Sequence, residues 1–240
     1  MEWQDEGFIL YTQPLGERKQ IVSLFTQTHG RYAGVCSLTQ KNKSWVQCGV
    51  KVNARWGARL EAHIGYWNFE PLPTKLALLL DRPGPLAALS SATSLSHIVL
   101  PERHAYPYLY EQFTHFLEAL SSPDWAEAYV NFEMTLLEEL GYGLELKSCA
   151  VTGRTEGLVA VSPRTGRAVC ETTAAPYQGK LLPLPPFLAE KNRKIGPNDK
   201  EILDGLRLTG YFLERYLLGR TLPAARERLI QRFSIVRNAS

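Results

Sequence analysis

From Val46 to Trp56 apolar and polar residues alternate without a break. Val46, Cys48, Val50, Val52, Ala54 and Trp56 fall on one side, and Gln47, Gly49, Lys51, Asn53 and Arg55 on the other. A period of two belongs to an extended strand with one buried and one wetted face. This is the clearest of five such runs near the start of the chain. Phe8–Thr12, Ile21–Thr26 and Arg31–Leu38 precede it, separated by the turn residues Gly16-Glu17-Arg18 and the break at His29-Gly30. Gln40–Ser44 reads as a polar loop. Beyond Gly57 the alternation resumes, with Leu60, Ala62, Ile64 and Tyr66 set against Glu61, His63, Gly65 and Trp67. Five short strands in so few residues suit a small closed barrel of the OB type.

After Pro71, Pro73, Pro83 and Pro85 the period becomes helical. Leu109, Phe113, Phe116, Leu117 and Leu120 form one stripe, opposite Glu111, Gln112, His115 and Glu118. Ser121-Ser122-Pro123-Asp124 stops that helix and starts another, striped by Trp125, Tyr129, Phe132, Leu136 and Leu140 and ended by Gly141. Asn198 with Glu201 is a capping box for a third helix, carrying Ile202, Leu206, Phe212, Leu213 and Tyr216. Thr221 is placed to cap a last helix bearing Arg226, Arg228 and Arg232. Between these, glycines interrupt short apolar runs such as Leu158–Val161. The expected class is therefore α+β: an N-terminal OB-fold β-barrel over 1–72, then an α-helical bundle in two parts, 73–146 and 181–240. A small zinc-knuckle-like insertion, 147–180, separates those parts.

Charge is segregated along this order. Residues 1–70 hold eight Lys/Arg against six Asp/Glu, residues 71–146 three against ten, and residues 147–240 sixteen against eight. Basic ends around an acidic middle point to a polyanionic partner. The start, Met1-Glu2-Trp3-Gln4-Asp5-Glu6, is acidic and polar, unlike a secretory signal, and no apolar run is long enough to span a membrane. A cytoplasmic protein with free thiols is expected.

Enzymatic motifs are missing. There is no phosphate-cradling glycine loop, no G-x-S-x-G and no H-E-x-x-H. A Cys-His dyad would need Cys36 or Cys48 beside His63, but the alternation places Cys48 in the core. Glu133, Glu138 and Glu139 read as a solvated helix face. Neither ATPase nor nuclease activity is expected.

The cysteines carry the most local information. Cys149 is followed three residues on by Thr152, and Cys170 three residues on by Thr173, across a spacer of 17 residues. A zinc ribbon has cysteine at all four positions. Structural zinc takes four nitrogen or sulfur donors, and threonine is not a usual one. The frame is that of a knuckle without its metal, so no cofactor is expected. Leu158, Val159 and Val161 are expected to hold it by packing.

The ordered set of these features resembles the RecO family of recombination mediators. Asp5-Glu6-Gly7-Phe8-Ile9-Leu10, Gly16-Glu17, Ile21-Val22, Phe25-Thr26 and Gly30 are similar to its N-terminus, and Arg59–Gly65 to the end of its barrel. Cys149–Gly153, Leu158–Pro163, Gly166–Cys170 and Leu181–Leu188 are similar to its knuckle region. The resemblance implies binding of single- and double-stranded DNA, annealing of complementary strands, and work with RecR to load RecA onto strands coated by single-stranded-DNA-binding protein (SSB). Two departures stand out. Many relatives keep all four knuckle cysteines, and many carry a basic loop after the third strand, where this chain has only Lys41 and Lys43. Candidate phosphate contacts are Arg18, Lys19, Arg31, Lys41, Lys43, Lys51, Arg55 and Arg59. Trp45 and Trp67 are candidate stacking platforms, and Trp56 a core residue. An RNA-binding OB protein and a protein-only adaptor are the alternatives.

Overall fold

The computed structural model describes the chain except residues 61–62, 178, 191–192 and 237–240. It divides into two compact units, Met1–Ser121 and Ser122–Ser240.

In the first unit, β1 (Glu2–Pro14), β2 (Lys19–Thr26), β3 (Gly30–Ser37), β4 (Lys51–Gly57) and β5 (Gly65–Pro71) close a barrel in the order β1-β2-β3-β5-β4. β3 and β5 run parallel and every other pair antiparallel. This is the expected OB-type barrel. Its interior is filled by Ile9, Val22, Leu24, Val52, Ala54, Trp56, Trp67 and Phe69. The alternation across β4 predicts its faces correctly, but the strand begins only at Lys51. Residues 41–45 and 48–49 are turns, and Cys48 is half-buried in one of them rather than in a strand. The last strand is in the opposite phase to that expected. Residues 58–60 and 63–64 lie outside the strands, Glu61 and Ala62 fall outside the described residues, and the pairing restarts at Gly65, so Trp67 and Phe69 point inward while Leu60, Ile64 and Tyr66 are exposed.

At Gly30 the barrel backbone comes into close contact with the segment around His104. The φ of Gly30 is +73°, and a Cβ there would stand 1.8 Å from the carbonyl oxygen of His104. Two helices complete this unit. α1 (Pro83–Val99), for which the sequence showed no clear stripe, packs against β1 and β2. α2 (Pro107–Ala119) turns Leu109, Phe113 and Phe116 inward as expected, and Phe113 meets Phe8 and Phe25 edge-on.

The second unit begins with α3 (Trp125–Glu139). The strands β6 (Leu158–Val161), β7 (Ala168–Cys170) and β8 (Leu182–Pro183) form a small sheet, with one-turn helices α4 (Glu171–Ala174) and α5 (Pro186–Ala189) beside them. α6 (Asp199–Phe212) starts at the expected capping box: the Asn198 side chain accepts from the Glu201 N–H, and the Glu201 carboxylate accepts from the Asn198 N–H. α6 runs directly into a π-helical turn, Leu213–Leu218, closed by Gly219 in the left-handed region. α7 (Ala224–Val236) starts after Pro223, three residues beyond the expected cap at Thr221.

Two charged residues belong to the core of this unit. Glu133 and Arg226 are both fully buried, which corrects the reading of Glu133 as part of a solvated helix face. Glu133 Oε1 accepts from Arg226 Nε at 2.7 Å and from the Tyr129 hydroxyl at 2.6 Å. Its Oε2 accepts from Arg226 Nη2 at 2.8 Å and from the Thr209 hydroxyl. Burial opposes the guanidinium charge, and the facing carboxylate more than offsets it, so the pKa of Arg226 is raised. No described helix is long and apolar enough to cross a membrane.

Candidate nucleic-acid interface

Four of the candidate cations gather around the end of β3. Arg18 and Lys19 stand at the turn into β2, where Lys19 pairs with Ser37. The Leu38 N–H donates to the Arg18 carbonyl at 2.8 Å, and the Asn42 amide donates to the Ser37 carbonyl at 2.9 Å. This fastens the loop carrying Lys41 and Lys43 beside the β1–β2 turn. All four side chains are exposed, and none pairs with a described carboxylate. Four cations without a carboxylate partner among the described residues thus stand close together at the β1–β2 turn and the loop after β3.

Arg55 and Arg59 take a second position. Arg55 lies opposite Asn68 in the ladder, and both are exposed on the outer face. With Tyr66 they line a shallow groove of about 640 Å³. Arg55 is held by Glu2 of β1, so part of its charge is already matched. Lys51 shares the outer face of β4, as the alternation predicted, but it pairs with Glu6 at 2.7 Å and lies over the Phe8 ring. Arg31 is turned away from these groups: it donates to the Leu100 carbonyl at 2.7 Å and to Glu102 at 3.1 Å, tying β3 to the segment after α1.

The aromatic assignments change. Trp67 is 5 % exposed, and its indole donates to the Val22 carbonyl at 3.0 Å, so it is core and no platform. Trp45 is half-buried with its edge on Phe69. Trp56 is core, as expected. The exposed ring on this face is Tyr66, 62 % accessible. It escaped the sequence reading because the phase of β5 was inverted.

In the second unit, Cys149, Thr152, Cys170 and Thr173 do converge. Cys149 Sγ lies 3.8 Å from Thr173 Oγ1, Thr152 Oγ1 3.6 Å from Cys170 Sγ, and Cys170 Sγ 3.3 Å from Thr173 Oγ1. A tetrahedral site with metal–sulfur bonds of about 2.3 Å has edges of about 3.8 Å. The knuckle geometry is retained with two hydroxyls at its corners. Hydrogen bonding from the Thr152 hydroxyl, opposed by burial and aided by backbone N–H groups, brings the Cys149 thiol down to about 5. Hydrogen bonds from Thr172, Thr173 and Thr152 lower Cys170 as well. Among the described residues no three His, Cys, Asp or Glu side chains group to hold a metal. Ala160, Val169, Leu158 and Leu181 pack around the two thiols. Val161 is fully buried, but Val159 is 40 % exposed and has no share in this packing.

Comparison with known proteins agrees with this architecture. Residues 1–71 match the family model described as the recombination protein O N terminal, and residues 83–224 the one described as its C terminal. A DNA repair protein RecO of Cereibacter sphaeroides is 43 % identical over 238 residues, covering 96 % of this chain and 98 % of its own length. One from a Caulobacter species is 41 % identical, covering 97 % of each chain. One from Rhodospirillum centenum is 42 % identical, covering 97 % of this chain and 95 % of its own length. Matches to both halves, in order and over nearly the whole length, show that the chain belongs to the recombination protein O family of DNA repair proteins.

Proposed function

We propose that this protein binds single- and double-stranded DNA through the outer face of its barrel, anneals complementary strands and, with RecR, helps load RecA onto SSB-coated strands. In this reading residues 1–72 are the DNA-binding module, residues 147–180 are a metal-free insertion in the helical part, and the protein works without turnover in the cytoplasm. The observation that carries it is the gathering of Arg18, Lys19, Lys41 and Lys43, without an ion-pair partner among the described residues, around the end of β3. Phosphate contacts position a strand without reading its sequence, which suits a protein that must act on any damaged site. Arg55, Arg59 and Tyr66 extend the same face with charge and one exposed ring.

A salt titration of binding to a labelled single strand, with and without RecR, tests this. Each phosphate contact on a single strand contributes about 0.7 to the slope of log affinity against log salt. Replacing Arg18, Lys19, Lys41 and Lys43 by alanine is expected to flatten the slope by roughly 2.8. An unchanged slope in a folded variant rejects the barrel face. Tighter binding of an RNA of equal length favours an RNA-binding protein, and no binding even at low salt favours a protein-only adaptor.

A further inference from the structure

We propose that the second unit carries its own surface for single-stranded DNA, built where the π-turn after α6 meets the loop between β6 and β7. The proposal goes beyond the barrel reading and uses none of its residues. Tyr216 stacks on Phe212, with ring centres 5.9 Å apart and planes 11° apart, and on Tyr142 at 5.5 Å and 27°. The guanidinium of Arg215 lies 5.9 Å from the Tyr211 ring centre and 5.7 Å from that of Tyr216, and it donates to the Tyr211 hydroxyl at 3.3 Å. The Tyr216 hydroxyl donates to the Arg164 carbonyl at 3.4 Å, which fastens the loop of residues 162–167 alongside.

Arg164, Arg167 and Arg215 are all exposed, and none pairs with a described carboxylate. Glu214 adjoins Arg215 in the chain and Glu145 is the β-bridge partner of Arg167, yet among the described residues neither forms an ion pair with them. Phe212 is buried and anchors the stack, whereas Tyr142, at its other end, is 41 % exposed. A purely structural stack requires neither an exposed terminal ring nor three guanidiniums without a carboxylate partner among the described residues. Together these are the two components of a single-strand site: rings on which unpaired bases stack and cations that follow the phosphates. A duplex hides its base faces, so the rings select a single strand. π-Helical turns occur frequently at functional sites, and here one sets Arg215 and Tyr216 beside the loop. A chain that holds one strand on each unit has what annealing requires.

The test uses the full-length protein and a thymidine oligonucleotide carrying 5-bromodeoxyuridine. It is photo-cross-linked and the attachment sites are mapped by mass spectrometry. Cross-links are expected in peptides containing Tyr142, Tyr211 or Tyr216, besides those of the barrel, and are expected to persist when Arg18, Lys19, Lys41 and Lys43 are alanine. In parallel, R164A/R167A/R215A is expected to flatten the salt slope by about 2, three contacts at roughly 0.7 each. No cross-link in the second unit, or an unchanged slope in a variant of normal helix content, overturns the proposal. If the triple variant does not fold, the wild-type cross-link decides. Failure of the barrel reading would show separately, as loss of barrel cross-links with those of Tyr142 retained.

Discussion

Replacing Glu133 by alanine is expected to destabilise the second unit far more than loss of one carboxylate from a surface would. The variant removes the acceptor of four hydrogen bonds, from Tyr129, Thr209 and two nitrogens of Arg226. It leaves a guanidinium with no accessible surface and no counter-charge. Arg226 Nη2 would keep the Leu206 carbonyl at 2.7 Å, but Nη1 already has no partner among the described residues. Breaking a buried pair by removing one member costs about 3–5 kcal/mol. That is a large share of the roughly 5–15 kcal/mol of a typical protein. With a urea slope of about 2 kcal/mol/M, the unfolding midpoint falls by about 2 M. The double variant Glu133→Leu with Arg226→Met replaces the pair by apolar groups of similar volume and is expected to recover most of the loss, since such replacements are often neutral or stabilising. Urea unfolding followed by helical circular dichroism measures all three chains. A single variant within about 1 kcal/mol of the parent, or a double variant no better than the single, refutes the assignment of a desolvated, mutually dependent pair.

Protein purified without chelator is expected to hold no stoichiometric zinc by metal analysis, whereas T152C/T173C, which puts sulfur at all four converging corners, is expected to bind one per chain. Burial pushes the Asp5 carboxyl up, but hydrogen bonds from His29 and Thr28 outweigh it and hold the pKa below 3.8 in the folded chain. The stability it contributes is therefore full above about 3.8 and lost as pH falls through the depressed folded value. Asp5→Asn should accordingly lower urea stability near neutral pH and leave it little changed at the acid end. Gly30→Ala is expected to lower the melting temperature of the first unit sharply, because a left-handed backbone costs about 1–2 kcal/mol for a residue with a Cβ and the new carbon would collide with the His104 carbonyl. A thermal scan that matches the parent would contradict the close approach.

What could be read from the sequence was local and periodic. β4, α2, α3 and the capping box of α6 declare themselves because a buried face repeats every two or every 3.6 residues, or because a cap sits beside its partner. α1 did not, because its buried positions are Ala88, Ser91, Ala92, Thr93 and Ser96 as well as leucines, and small residues make no hydrophobic stripe. The phase of β5 was missed because the alternation was carried from Gly57 straight into Tyr66, although residues 58–60 and 63–64 lie outside the sheet. Glu133 was misread for a different reason: its partner lies 93 residues away, and only the packing of α3, α6 and α7 reveals it. The grouping of Cys149, Thr152, Cys170 and Thr173 was legible because they sit at fixed short spacings. The cation cluster was legible residue by residue but not as a cluster, since the hydrogen bonds joining the β1–β2 turn to the loop after β3 are tertiary.

The threonines of the knuckle fit a physical exchange rather than decay of a site. Two adjacent buried thiols need either a metal to hold them as thiolates or donors to satisfy them. Here the Thr152 and Thr173 hydroxyls stand at the corners where ligands would be, 3.3–3.8 Å from sulfur, and a backbone N–H adds to them. A hydroxyl donates one hydrogen bond and accepts others, so two threonines can join two sulfurs, and the donation from Thr152 is what holds the Cys149 thiol low. The small sheet β7-β6-β8 then buries Ala160, Val161 and Val169 against the same elements. In this form the insertion is expected to keep its shape without a metal, and with it the loop of residues 162–167 that presents Arg164 and Arg167, which an unchanged circular dichroism spectrum after chelator treatment would check.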